Sequence, residues 1–210
     1  MNHLRYCLYL VVAAWLSAAS AGAFDDFFRA VRTDDAATVA QLLDRGFDPN
    51  AHEESGQSAL SLAVRERADH VIDALMKHPQ LEVNAQNRVG ETALMLAALQ
   101  GRLDLVRRLL ERGGAVTQEG WTPLHYAASG PEPQVVALLL ARGAAIEARS
   151  PNGTTPLMMA ARYGNEQSVA MLLEHKADAQ ARNDRGLNAA DFARSAGREA
   201  LAQRLESRSR

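Results

Sequence analysis

Short amphipathic segments of two kinds alternate along the chain downstream of residue 24. The first kind joins a polar residue to paired apolar ones shortly after a glycine, as in GWTPLHYAA at 120–128 and GTTPLMMAA at 153–161. The second kind, such as LDLVRRLLERG at 103–113, has apolar residues at the three- and four-residue spacing of one helical face. The pattern predicts short helices in pairs, each with one buried side.

The first helix of each pair has a recognisable start. Glycines at 56, 90, 120, 153 and 186 are spaced by 34, 30, 33 and 33 residues, and a polar side chain stands two residues after each glycine. A Ser, Thr or Asn oxygen in that place accepts a hydrogen bond from an unpaired N–H of the first helical turn. Proline, which follows two of these residues, fits at the first helical position because its missing N–H has no partner there. Helices are therefore predicted to begin directly after Ser58, Thr92, Thr122, Thr155 and Asn188.

The repeated segments resemble ankyrin repeats. The period is close to 33 residues, residues 122–127 read TPLHYA as in the T-P-L-H-x-A signature, and residues 139–144 have the Leu-Leu-x-x-Gly-Ala ending. The resemblance implies an all-α fold, an ankyrin-repeat solenoid of stacked helix-turn-helix units with about five to six repeats including atypical caps. The implied repeats span residues of about 25–52, 53–86, 87–116, 117–149, 150–182 and 183–206.

The two terminal repeats depart from this pattern. The first has no capped first helix and contains Phe24, Phe27 and Phe28 instead, while the last has Ala190 where leucine is expected, followed by the polar Arg194. A finite stack needs ends with one solvent-facing side. These two repeats are therefore predicted to cap the stack.

Residues 1–23 have the order of a secretory signal peptide. A start with Arg5 and no acid precedes an uncharged apolar run at 8–19, and small residues stand at Ala21 and Ala23. The alternative is an N-terminal membrane anchor, but a run of this length is short for a hydrocarbon core of about 30 Å. We expect cleavage after Ala23, a mature domain at 24–210 that is periplasmic or secreted, and no membrane insertion after cleavage.

The remaining composition offers no catalytic apparatus. Removing residues 1–23 also removes Cys7, the single cysteine, and changes the formal net charge from −2 to −3 through loss of Arg5, which is too mild a charge to indicate nucleic-acid binding. The remaining histidines form no close pair of metal ligands, and the nucleophile-elbow, phosphate-loop and dinucleotide motifs are absent. We expect no enzyme activity, no cofactor, no metal and a monomer.

What the repeats leave for function is their exposed surface. Alignment of the repeats puts one group of candidate protein-binding residues on the first helices, namely Leu99, Gln100, Arg162 and Tyr163. It puts a second group near the loop tips, namely Glu91, Trp121, Arg185 and Leu187. Aromatic residues and arginine are enriched among the residues that dominate interface energy. For Trp121 two interpretations stay open, a contact with a partner or packing over a neighbouring loop.

The predicted function is binding of another protein. The main hypothesis is an interaction module of the exported compartment that scaffolds, protects or inhibits another exported protein. One alternative is an immunity-type inhibitor of a specific exported toxin or enzyme. A second alternative is a small-ligand binder or enzyme with an improvised site on the concave face, which would require a deep polar pocket with converging acids or histidines.

Overall fold

The computed structural model describes residues 22–207. The predicted signal peptide therefore lies outside the described residues except for its last two positions, and its cleavage after Ala23 stays a prediction. The described chain divides into two compact units, with the division between Glu82 and Val83. Each unit is built from short helices in pairs, and the predicted bounds of the individual repeats stay predictions.

The described part of the first unit contains four helices. The first of them, α1, covers residues 22–32. The others are α2 (Ala36–Asp44), α3 (Ala59–Glu66) and α4 (Asp69–Lys77).

The described part of the second unit contains eight helices in four pairs. The first helices of the pairs are α5 (Ala93–Leu99), α7 (Pro123–Ser129), α9 (Pro156–Arg162) and α11 (Ala189–Ser195). The second helices are α6 (Leu103–Glu111), α8 (Pro133–Ala141), α10 (Glu166–Glu174) and α12 (Glu199–Ser207).

The predicted helix starts are confirmed. Ser58, Thr92, Thr122, Thr155 and Asn188 are the N-cap residues of α3, α5, α7, α9 and α11. In four of the five, the side-chain oxygen accepts a hydrogen bond from the N–H of the third helical residue. These bonds satisfy a backbone donor that would otherwise lack an intrahelical partner.

The first helices of the second unit pack side by side in one row, α5 on α7, α7 on α9 and α9 on α11. The second helices α6, α8 and α10 pack in chain order behind them. The core between the two rows consists mainly of leucine and alanine, because the helices are short and approach closely. Its fully buried leucines include Leu94, Leu109, Leu124, Leu139, Leu157 and Leu172. The residues that the structure describes form no strand, so the all-α prediction is confirmed.

Aromatic packing occupies the place of the missing capped helix in the first unit. Phe27 is fully buried on α1, and its ring stacks on that of Phe47 with centroids 4.3 Å apart. Phe28 meets Phe27 edge-on at 5.4 Å and lies 4.8 Å from Phe24. Such ring pairs bury a large apolar area in a defined geometry. Aromatic contacts thus pack the N-terminal helix of the first unit against Phe47.

Gly101 and Gly164, which follow α5 and α9, are glycines for different reasons. The sequence pattern predicts that a glycine ends each of these helices, and both glycines do follow the helix end directly after its C-cap residue. Gly101 adopts the left-handed conformation with φ of +69°. Gly164 does not have a positive φ, but a Cβ there would lie 2.1 Å from the carbonyl oxygen of Ala128. A close approach between neighbouring repeats therefore demands glycine at this position.

A surface ion pair ties α4 to the turn before α2. Oδ1 of Asp34 accepts a hydrogen bond of 3.0 Å from the Val71 N–H, and Oδ2 of Asp34 lies 2.7 Å from Nδ1 of His70. The hydrogen bond and charge of Asp34 raise the pKa of His70. Burial alone would raise the pKa of Asp34, but the hydrogen bonds from Val71 and His70 hold it below its usual value.

We expect His70→Asn to change how stability depends on pH. A raised His70 pKa stabilises the fold fully below the ordinary value of 6.5, and this contribution is lost as pH rises through the folded-state pKa. The lowered Asp34 pKa adds a contribution that is lost only in acid below about its ordinary value of 3.8. From pH 5 to pH 8 the wild-type protein should therefore lose stability relative to the variant. Urea unfolding at both pH values measures this, and a difference independent of pH would refute it.

Candidate functional site

The row of first helices in the second unit keeps one side free of the core. On α7 the residues Leu124, Ala127 and Ala128 are fully buried, whereas Tyr126 and Ser129 are half-buried. Residues three apart share a helix face, so these two side chains point to the same surface. Tyr126 is followed one repeat later by Met159 on α9, since the two positions differ by 33 residues, and Met159 is also half-buried.

These side chains border a single groove of about 400 Å³. Leu99 at the end of α5 is 40% exposed and Tyr163 after α9 is 58% exposed, so both present apolar surface to solvent. Three neighbouring repeats contribute to the groove, and no single repeat contains it. The full lining is Leu99, Trp121, Tyr126, Ser129, Met159 and Tyr163.

A carboxylate that does not itself line the groove is hydrogen-bonded to one of the lining residues. Oε1 of Glu91 accepts a hydrogen bond of 2.7 Å from the Tyr126 hydroxyl, and Oε2 accepts one of 2.7 Å from Nδ2 of Asn87. The side chain of Asn87 also receives the Glu91 N–H at 2.9 Å, so the acid is held at both ends. Burial and the bond to the Glu91 carboxylate raise the pKa of the Tyr126 phenol. The phenol is therefore a fixed hydrogen-bond donor at neutral pH.

Trp121 packs on the buried His125 at the edge of the groove. Their ring centroids lie 5.2 Å apart and the planes are nearly perpendicular, at 76°. His125 is fully buried and belongs to the helix start: the Thr122 N–H donates to its Nδ1 at 3.2 Å, so Nε2 carries the proton and donates to the Thr154 carbonyl at 2.9 Å. His125 therefore has a structural role at the start of α7, where it forms a capping box with Thr122. Trp121 lines the groove and its ring rests on a histidine of its own repeat. Contact with a partner and packing over a neighbouring loop both stay predictions for this residue.

Arg162 and Tyr163 form a pair at the other end of the groove. The guanidinium carbon of Arg162 lies 5.1 Å from the centroid of the Tyr163 ring, within cation–π distance. Both residues are exposed. Stacking on Arg162 restricts the conformations that the Tyr163 side chain can adopt. An exposed aromatic residue held in this way next to an apolar groove is a common element of protein interfaces.

Comparison with known proteins agrees with this architecture. The family model for ankyrin repeats in three copies matches residues 27–118, 79–150, 112–183 and 133–205. The chain belongs to the ankyrin repeat family. Its curated relatives include the ankyrin repeat and KH domain-containing protein mask-1 of Caenorhabditis elegans, which is 34% identical over 129 residues, 54% of this chain and 5% of that protein.

Two further relatives show how widely this ankyrin sequence is shared. The human SH3 and multiple ankyrin repeat domains protein 1 is 33% identical over 120 residues, which make up 55% of this chain and 6% of that protein. The mouse B-cell lymphoma 3 protein homolog is 31% identical over 122 residues, 55% of this chain and 27% of that protein. The chain thus spans only a small part of each relative.

Among solved structures, the chain is similar to one from the complex of the predatory endopeptidase Bd0816 of Bdellovibrio bacteriovorus with the immunity protein Bd3460. The TM-score is 0.73 and the sequence identity 26%. The match covers 87% of this chain and 97% of that chain. Unlike the curated relatives, this neighbour is matched over nearly its whole length.

The ankyrin structure brings together only part of the predicted binding residues. Leu99, Trp121 and Tyr163 line the groove and Arg162 stacks beside it. Gln100 and Tyr163 are the C-cap residues of α5 and α9, so they lie at the ends of two first helices. Arg185 and Leu187 lie in the turn before α11, where both N–H groups donate to Oδ1 of Asn183, and neither lines the groove.

Sequence reasoning missed Tyr126 and Met159. A signal was available, because both occupy the same ankyrin repeat position, and Met159 lies three residues before Arg162, which the alignment of the repeats places on a first helix. Glu91 was identified as a loop-tip candidate, but its bond to Tyr126 could not be read from a pattern within one repeat, since it joins two of them.

Residues 22–207 hold no group of His, Cys, Asp and Glu side chains suited to a metal ion. Over the same residues, none of the helices has both the length and the apolar character needed to cross a bilayer. The six residues that line the groove include no acid and no histidine.

We expect His125→Gln to remove a second pH dependence, opposite in sign to that of His70. Burial lowers the pKa of His125 despite its hydrogen bond to the Thr154 carbonyl. At a pH below the ordinary histidine pKa of 6.5, the unfolded chain therefore binds a proton at His125 that the folded chain does not bind. The free energy of unfolding consequently falls as the pH is lowered. Wild-type protein should lose stability from pH 7.5 to pH 5 relative to the variant in urea unfolding. Parallel curves for the two proteins would show that this histidine does not titrate on unfolding.

Proposed function

We propose that the chain is a protein-binding module of the exported compartment, and that the groove on its first helices takes part in recognition. The observation that carries the proposal is the groove itself. Single exposed apolar residues are ordinary on protein surfaces, but Leu99, Trp121 and Tyr163 form a contiguous apolar border assembled from three repeats. Leu99 and Tyr163 are exposed, so packing of the core does not require them to be apolar.

The compartment is inferred from the sequence alone. The order of residues 1–23 supports export by a cleaved signal peptide. We expect the protein isolated from its source cell to begin at or near Phe24, and to be recovered outside the membrane fraction. N-terminal sequencing measures this directly. Recovery of an intact residue 1–23 segment with the membranes would support the anchor and contradict export by cleavage.

A specific observation favours inhibition as the mode of action. The solved neighbour comes from a complex of a peptidase with an immunity protein, and the match covers 97% of that chain and 87% of this one. The matches to the curated relatives cover only a small part of each relative, whereas the match to the solved neighbour covers nearly all of that chain. We therefore propose, as the second candidate, that the chain is an immunity-type inhibitor of an exported enzyme, with a peptidase as the first class to test.

An enzyme or small-ligand binder is less well supported. Small-molecule sites place a few converging polar groups inside an enclosed apolar pocket. In the groove, the Tyr126 hydroxyl is engaged by Glu91 and the Ser129 hydroxyl donates to the His125 carbonyl at 3.0 Å. No acid or histidine among the residues that line the groove is available for acid–base chemistry. We accordingly propose no catalytic activity.

The experiment that tests the binding function is affinity purification from the exported fraction of the source cell. The tagged wild-type chain is compared with Leu99→Glu, which puts a charge into the groove, and with Val89→Glu, which adds the same charge at an apolar residue that is 73% exposed and outside the groove. We expect a stoichiometric partner that Leu99→Glu loses and Val89→Glu keeps. Absence of any stoichiometric partner, or equal retention by both variants, contradicts the proposal.

The inhibitor hypothesis is tested on the recovered partner. If the partner hydrolyses casein or another substrate, titration with the wild-type chain is expected to abolish that activity at one equivalent, and Leu99→Glu is expected to require a large excess. Full activity of the partner inside the purified complex would exclude inhibition while leaving the binding function intact.

A further inference from the structure

Glu91 is a half-buried carboxylate whose recorded partners are all neutral. The Tyr126 hydroxyl and the Asn87 amide each donate to one of its oxygens. None of the ion pairs found within residues 83–207 includes Glu91. Each carboxylate oxygen can accept a second hydrogen bond, and a charge-assisted bond from a cation is about twice as strong as one from a neutral donor. The carboxylate can therefore bind one further cationic group.

The interior of the groove favours an apolar occupant. Two of its three hydroxyl groups, those of Tyr126 and Ser129, donate to Glu91 and to the His125 carbonyl, and the third belongs to the exposed Tyr163. The remaining lining consists of Leu99, Met159 and the rings of Trp121 and Tyr163. A volume of about 400 Å³ suits a protruding side chain or two rather than a packed helix. Methionine beside aromatic rings adapts to side chains of different shape.

Two residues of opposite charge contact the groove lining from outside it, Glu91 through Tyr126 and Arg162 through Tyr163. Glu91 precedes α5, at the end of the row where the first helices begin, whereas Arg162 is the last residue of α9. The first helices pack side by side, and a helix of this length extends over roughly 10 Å. Arg162, stacked on Tyr163, repels a cation at its own end, so a cationic occupant is directed toward Glu91.

From this arrangement we infer that the groove recognises an exposed loop of another protein that presents an apolar side chain next to a lysine or arginine. The apolar side chain enters between Trp121 and Met159, and the basic side chain pairs with the Glu91 carboxylate. This inference rests on the proposed binding function and adds the chemistry of the partner surface. It also assigns Glu91, at the loop tip, as the residue that determines specificity for charge.

The test uses short cysteine-closed loops of random sequence, displayed on phage and selected on the immobilised chain. The chain has two tryptophans, so in the full chain carrying Trp15→Phe the remaining Trp121 reports occupancy of the groove by its fluorescence. We expect selected loops to place Lys or Arg within a residue or two of Leu, Met or Phe. As synthetic peptides they should change Trp121 emission on titration.

Two matched variants separate the charge from the rest of the site. Glu91→Gln keeps an amide oxygen that can accept from the Tyr126 hydroxyl but removes the charge, and it is expected to weaken a selected peptide about tenfold or more. Glu119→Gln removes the same charge from an exposed residue close to Trp121 in the sequence and outside the groove lining. We expect it to change affinity by less than about twofold.

The outcomes distinguish this inference from the function on which it rests. Loops that lack a basic residue, or whose affinity is the same on Glu91→Gln, would overturn the charge pairing while a groove-dependent partner could still be purified. Loops that bind without changing Trp121 emission would overturn the groove as their site. Failure to select any loop, together with a purified partner that Leu99→Glu loses, would reject the loop chemistry alone. Failure of both experiments would reject the binding function as well.

Discussion

Replacing Gly164 by alanine is expected to lower the free energy of unfolding by about 3 kcal/mol or more. A Cβ at this position would lie 2.1 Å from the carbonyl oxygen of Ala128 and 2.9 Å from Cα of Ala160. Both are backbone atoms of packed helices, so a rotamer change cannot relieve the clash. The row of first helices would have to separate at α7 and α9, which is the part of the molecule that forms the groove.

Gly143→Ala is the matched control for this substitution. Gly143 follows α8 with φ of +86°, and a Cβ there meets no heavy atom within 4 Å. Alanine should cost only the strain of the left-handed conformation, about 1–2 kcal/mol. Urea unfolding of the three proteins, followed by circular dichroism, gives the comparison. Equal losses for the two variants would show that close approach at Gly164 is not what requires glycine there.

The repetition of the sequence explains why so much of this fold could be predicted. Thr155 and Pro156 act within one helical turn, so their cap and first helical position are set by neighbours in the sequence. The same holds for Ser58 and Asn188, whose caps are confirmed. Alternation of a capped helix with a second amphipathic helix then leaves few ways to bury both apolar faces, and stacking is the simplest.

Interactions between repeats are what the sequence did not reveal. Arg198, at the start of α12, donates from Nη1 to the carbonyl oxygens of Ala160, Ala161 and Gly164 at 2.8–3.0 Å, and so satisfies the end of α9 from the following repeat. The pattern showed only a basic residue after a glycine. The bond from Tyr126 to Glu91 likewise joins two repeats. Such contacts depend on how far adjacent repeats are rotated, which a one-dimensional period does not state.

The residues of the groove could be predicted from the sequence only in part. Leu99 and Tyr163 were found because apolar residues stood where a repeat needs only small or polar ones. Leu187 meets the same criterion, and Gln100 and Arg185 were predicted from their positions in the repeat, yet none of the three lines the groove. The exposure of a side chain can be inferred from its own position in a repeat. Which exposed side chains meet in one groove depends on how three neighbouring repeats pack together.

The double substitution Arg162→Ala and Tyr163→Ala is expected to weaken partner binding about thirtyfold or more, equivalent to about 2 kcal/mol, with little change in stability. Both side chains are exposed and stack on each other, so the core loses no contact when they are removed together. The measurement is calorimetric titration of the partner recovered by affinity purification. Arg185→Ala with Leu187→Ala is the control, because it removes one arginine and one apolar residue outside the groove. A larger loss in the control would move the binding surface to the turn before α11.

Trp121→Ala completes this prediction by deciding between the two roles left open for the indole. Trp121 contributes to the groove lining and also packs edge-on against the buried His125. If its main role is contact with the partner, affinity should fall by a similar factor. The free energy of unfolding should then change by no more than is typical of a surface substitution, about 0.5 kcal/mol. If its main role is to cover His125, the midpoint should fall and the pH dependence assigned to that histidine should weaken, because solvent would reach the imidazole. Unchanged binding and unchanged stability in both the Trp121 variant and the Arg162 and Tyr163 double variant would place recognition elsewhere, on the second helices or on the loop at 113–119.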